Sequence, residues 1–72
     1  MNYLTNKEEQ SMPEVVVNLA AGRSEEQKDQ LMQGIFEVVK NTLGVKDEYI
    51  VVSLNEVPKQ HKTRGGKRFD KL

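Results

Sequence analysis

The apolar residues of this chain change their spacing twice, and that change limits the folds open to it. Over Glu14–Leu19 they alternate, with Val15, Val17 and Leu19 on one face and Val16 and Asn18 on the other. Alternation in a β-branched run predicts a strand with one core face. From Leu31 the spacing becomes three and four, through Ile35, Val38, Val39 and Thr42-Leu43, with Met32 and Phe36 widening the stripe. That pattern predicts an amphipathic helix. Ser24-Glu25-Glu26-Gln27 is a capping box that starts it after a turn at Ala21-Gly22-Arg23, and Gly44 is placed to stop it. Alternation returns over Tyr49–Val57, with Ile50, Val52 and Leu54 on the side facing the helix. A helix of this length between two strands predicts a right-handed parallel β-α-β crossover. Pro58 ends the second strand, and Gly65-Gly66 predicts a tight turn or small hairpin in the tail.

One helix covers one face of a sheet, so the face carrying Val16 and Val51 is expected to pack against other subunits. Size points the same way. A chain of 72 residues buries only roughly 60% of the surface its unfolded form exposes and is marginal alone. There is no cysteine, which excludes disulfides and thiolate metal sites, and the single histidine, His61, cannot build a zinc site by itself. No metal or cofactor is implied, and oligomerisation is the remaining staple. No apolar run reaches the ~20 residues of a membrane span, and the first residues lack the apolar core of a secretory signal. The expected address is cytoplasmic.

The net charge of zero hides an asymmetry. Met1 to Pro58 carries five Lys/Arg against ten Asp/Glu, whereas Lys59 to Leu72 carries six against one. A basic tail suits either a polyanion or an acidic neighbouring subunit, and the need for subunit contacts favours the second. Arg64-Gly65-Gly66 resembles a fragment of an arginine-glycine segment. As a nucleic-acid module this is the weaker alternative, since it occurs once and Phe69 is the sole nearby aromatic for stacking.

The stretch Met12-Pro13, the strand that follows it, Gly22-Arg23-Ser24, the acidic pair Glu25-Glu26, Gln27-Lys28 and the helix that follows resembles the opening of 4-oxalocrotonate tautomerase and its relatives. Glu56-Val57-Pro58 and Gly65-Gly66 extend the resemblance along residues 13–72. It implies an α+β, tautomerase-type β-α-β subunit with parallel strands and a short C-terminal hairpin, its sheet extended by oligomerisation. A homo-oligomer is implied, a hexamer built as a trimer of dimers. The implied reaction is keto-enol proton transfer on a small 2-keto or enol acid, without a cofactor. The family's amino-terminal proline, exposed by removal of the initiator methionine, is the general base, and Pro13 stands at its position. Arg23 matches the family's arginine after the first strand, which implies a carboxylate-binding role that also steadies enolate charge. Where the family carries a second substrate-binding arginine, in strand two, this chain has Val51, and the expected C-terminal aromatic falls on Lys62. Lys62 and Arg64 are therefore candidate replacements for the missing positive charge, donated by a neighbouring subunit's tail.

Each residue also has a plainer reading. Proline at a strand start is ordinarily a backbone device, because that position can dispense with its N–H. Arg23 in a turn can be simply solvated, although a cation just before a helix opposes the helix dipole. A non-catalytic oligomeric member of the same fold is thus the main alternative. The basicity of Pro13 depends on residues 1–12, read as a leader preceding a 13–72 domain. With Met1 as the start, the Pro13 nitrogen is an amide without a basic lone pair. Lys7-Glu8-Glu9 can be encoded by AAG-GAG-GAA, a purine-rich string resembling a bacterial ribosome-binding site two codons before Met12. The expectation is that translation starts at Met12 and that the working enzyme begins at Pro13.

Overall fold

A computed structural model describes residues 12–72, so the expected leader lies outside the described residues apart from Met12. Strand β1 (Glu14–Ala20) leads through a short connection into helix α1 (Glu25–Leu43), which returns to strand β2 (Val51–Val57). The strands pair in parallel, from Glu14 opposite Val51 to Ala20 opposite Val57. A two-residue hairpin, β3 (Thr63–Arg64) and β4 (Lys67–Arg68), follows, and 3₁₀ turns lie at Asp47–Tyr49, Lys59–His61 and Phe69–Lys71. This is the expected β-α-β subunit with its C-terminal hairpin.

Helix α1 starts where its chemistry says it should. The Ser24 Oγ accepts from the Gln27 backbone N–H at 3.1 Å, and the Gln27 Oε1 accepts from the Ser24 N–H at 3.1 Å. Two of the four orphan amide donors of the first turn are satisfied reciprocally in this way. Glu25 and Glu26 in the first turn and Lys40 in the last complement the helix dipole. At the other end Gly44 takes a left-handed conformation and donates to the Lys40 carbonyl at 2.9 Å. In the hairpin, Gly65 (φ 58°) and Gly66 (φ 85°) both have positive φ, as a two-residue turn matched to strand twist requires.

Strand β2 begins later than the alternation suggests. Tyr49 and Ile50 belong to a turn, because the Tyr49 N–H donates to the Lys46 carbonyl (3.0 Å) and the Ile50 N–H to the Asp47 carbonyl (3.1 Å). Those local bonds occupy donors that the ladder would need. Pairing therefore starts only at Val51, whose N–H donates to the Pro13 carbonyl at 3.1 Å.

The apolar face of β1 and β2 lies under α1, with Val15, Val17, Leu19, Val52 and Leu54 half-buried together with Met32, Ile35, Phe36 and Val39. The helix stripe is wider than two strands can cover. Leu31, Val38 and Leu43, on the predicted apolar stripe, remain 40, 64 and 54% exposed. Leu31, Gly34, Ile35, Val38 and Val39 form with Val15 an open apolar groove of about 610 Å³. On the opposite face Val16 and Val51 are about half exposed, as expected. Between that face's apolar positions the Asn55 Nδ2 donates to the Asn18 Oδ1 at 2.8 Å. Among the described residues none is fully buried, so one copy leaves its hydrophobic surface unfinished. Among them, too, no helix is long and apolar enough to cross a membrane.

Candidate active site

Parallel pairing sorts the candidate residues to two ends of the sheet. At the starting edge, Pro13 needs no donor of its own, and its carbonyl anchors the first rung with Val51. Val51, 48% exposed, presents an apolar surface beside it. In the chain as written the Pro13 nitrogen is acylated by Met12. At the finishing edge, the Ala21 N–H donates to the Val57 carbonyl at 2.9 Å, one step beyond the last strand pair. Gly22-Arg23 and Pro58-Lys59 therefore leave the sheet side by side. The seven residues of β1 span roughly 23 Å at about 3.3 Å per residue, so Pro13 and Arg23 of one copy cannot touch one substrate.

Two clefts flank Arg23. One, of about 240 Å³, is lined by Leu19, Ala20, Ala21, Gly22, Arg23 and Lys59. The other, of about 230 Å³, is lined by Leu19, Arg23, Gln27, Lys28 and Leu31. Lys59 lies across Gly22, its Cε 3.9 Å from where a Cβ on that residue would stand. The φ of +134° at Gly22 is in the region that favours glycine. Lys59 was not among the candidates read from the sequence. The only cue was that Gly22-Arg23 and Pro58-Lys59 each lie just past a strand end, and this becomes informative only once the register is known.

Lys28 borders the same region but is already engaged. Its Nζ lies 2.8 Å from both Glu25 Oε2 and Glu56 Oε1, and its side chain is 14% exposed. Hydrogen bonds first to Glu25 and then to Glu56 push its ammonium up to about 12. It remains charged and ties the start of α1 to the end of β2.

The structure brings Lys62 and Arg64 to each other, not to Arg23. The Lys62 Nζ sits 5.4 Å and the Arg64 Cζ 5.7 Å from the centroid of the Phe69 ring, within cation–π range. The Lys62 carbonyl also accepts from the Phe69 N–H at 2.8 Å. Neither residue lines the two clefts beside Arg23. Phe69, the aromatic considered for base stacking, is occupied by these cations, which weakens the nucleic-acid alternative.

Across residues 13–72 the chain matches the family model described as "Tautomerase enzyme". The chain belongs to the tautomerase family. It is 43% identical over 58 residues to a probable tautomerase of Bradyrhizobium diazoefficiens, covering 81% of this chain and 87% of that relative. It is 41% identical over 61 residues to a 2-hydroxymuconate tautomerase of Bacillus subtilis, covering 85% and 98%. Its structure resembles that of YwhB, a homologue of 4-oxalocrotonate tautomerase, with a TM-score of 0.76 at 40% identity, covering 83% of this chain and 98% of that one. For a tautomerase the separation of Pro13 from Arg23 carries the main consequence, since it divides the candidate machinery between two ends of every subunit.

Proposed function

We propose that this tautomerase catalyses keto-enol proton transfer on a small 2-keto or enol acid, with the amine of Pro13 as general base and no cofactor. The observation that carries the reading is that the tautomerase match starts at residue 13, a proline that opens the first strand. A mature chain starting at Pro13 has a secondary amine in place of the Met12 amide. Such an amine starts near the α-amino reference of about 7.7–8.0, and apolar surroundings together with nearby cations lower it further. A base titrating near the working pH is suited to taking a proton from an enol oxygen or a carbon and returning it at another carbon. Proton and electron pair both stay within the substrate and the proline, so nothing else is consumed.

Arg23 supplies the anion-binding group, its planar fork matching a carboxylate. The length of β1 requires that this arginine come from a different copy than the proline. Assembly through the open sheet face and the apolar groove would cover Val16, Val51, Leu31 and Val38 and complete the site in one step, and a hexamer is the assembly proposed. Lys62 and Arg64 of a neighbouring copy are further cations in this reading, and changing both to alanine raises KM for an acidic substrate.

The test compares two proteins, one starting at Met1 and one at Pro13, each verified by intact mass and assayed by ultraviolet absorbance on 2-hydroxymuconate and on an enolised 2-keto acid. Activity is expected only in the protein with the free proline. Equal activity of both would remove Pro13 as base. Silence of both on every enol acid would favour a non-catalytic oligomeric role. Intact mass of the product of the native gene then tells which form the cell makes.

A further inference from the structure

We propose that Lys59 is a second substrate-anion cation, acting with Arg23 in one cleft at the finishing edge of the sheet. The inference rests on the enol-acid reading of the site. Its first support is placement. The Ala21–Val57 hydrogen bond holds the two strand exits together, and Arg23 and Lys59 line one cleft whose remaining walls are Leu19, Ala20, Ala21 and Gly22. The absence of a Cβ at Gly22 leaves the lysine stem room to lie across the backbone, with its Cε 3.9 Å from that position.

The second support is charge. Two like charges on one small cleft repel and ordinarily recruit a carboxylate. Among the described residues, neither Arg23 nor Lys59 has one within ion-pair distance. Glu25, two residues from Arg23, and Glu56, three residues from Lys59, would be natural partners. Both are instead held by Lys28 at 2.8 Å. Lys28 thus withdraws nearby acids and leaves the pair facing the cleft with positive charge to offer.

The ligand that fits is a compact organic anion bearing adjacent oxygens, as a 2-keto carboxylate does. Arginine grips a carboxylate in two-point fashion, and lysine adds a compact point charge to that same carboxylate. The opposite edge, at Val51, offers an apolar surface, so the cleft concentrates the anion recognition of the site at one end. Within one copy Lys62 and Arg64 do not line this cleft.

The experiment uses the full chain starting at Pro13, as wild type and as Lys59→Met, Lys59→Arg and Arg23→Met, with circular dichroism and sedimentation confirming fold and assembly. Kinetics are measured on a 2-keto acid and on its methyl ester, and oxalate binding by calorimetry. Lys59→Met is expected to raise KM for the acid roughly tenfold, the effect of one charge-assisted hydrogen bond. It should leave KM for the ester unchanged, weaken oxalate by a similar factor, and be rescued largely by Lys59→Arg. If Lys59→Met matches wild type on acid and oxalate while Arg23→Met does not, the inference is overturned and the enol-acid reading stands. If wild type converts no enol acid, that reading fails and oxalate decides the cleft. Binding by wild type that is lost in Lys59→Met supports the cation pair, whereas no binding, or binding unaffected by the substitution, overturns it.

Discussion

Mixing two inactive variants should restore activity if Pro13 and Arg23 act from different copies. One variant retains Met12, so its proline is an amide; the other starts at Pro13 and carries Arg23→Met. Each alone lacks one half of every site. The seven residues of β1 separate the two positions by roughly 23 Å, well beyond the span of a small acid. When equal amounts are unfolded together and refolded, each proposed site draws its proline from one copy and its arginine from another. The chance that both are intact is about one half times one half, so about a quarter of wild-type activity returns under random assembly. The assay is turnover of an enol acid before and after joint refolding, with each variant refolded separately as control. A mixture that stays at the level of the separate variants, while native mass analysis shows mixed oligomers, would refute the two-copy site.

Two predictions concern the scaffold. Ser24→Ala removes the hydroxyl that accepts from the Gln27 N–H and should cost about 1 kcal/mol, typical of losing an N-cap. A urea midpoint unchanged from wild type would show that the cap is dispensable in the assembly. Lys28 gives a pH signature. Its folded-state pKa is raised from 10.5 to about 12 by Glu25 and Glu56, so its contribution is fully present below 10.5 and is lost as pH rises through 12. The stability gap between wild type and Lys28→Met should therefore narrow across that alkaline window, and a gap independent of pH there would contradict the assignment.

The order of the elements was legible in the residues because each signal is local. Alternation of Val15, Val17 and Leu19 depends on neighbours two positions away. The Ser24–Gln27 box spans three residues, and Gly65-Gly66 makes its turn unaided. Even the misplaced start of β2 is a local matter, decided by turn hydrogen bonds at Tyr49 and Ile50 that apolar periodicity does not register. Pro13 and Arg23 were likewise identifiable as candidates, though through resemblance, since neither has a local signature of chemistry.

What the residues could not give was who meets whom. The parallel register, with Ala20 opposite Val57, is a pairing across 37 positions of chain, and it alone puts Lys59 beside Arg23 and sends Pro13 to the far edge. Within one copy the hairpin turns Lys62 and Arg64 onto Phe69, a contact that no local pattern in the tail announces. Periodicity also put Leu31, Val38 and Leu43 on the helix's apolar stripe but does not register how much sheet lies beneath them. Sequence by itself determined the β-α-β subunit, its caps and its turn, because those depend on backbone and side-chain preferences within a few residues. Tertiary structure decided the contents of the candidate site and the surface left uncovered, because register, strand length and the width of a two-stranded sheet are relations between distant segments.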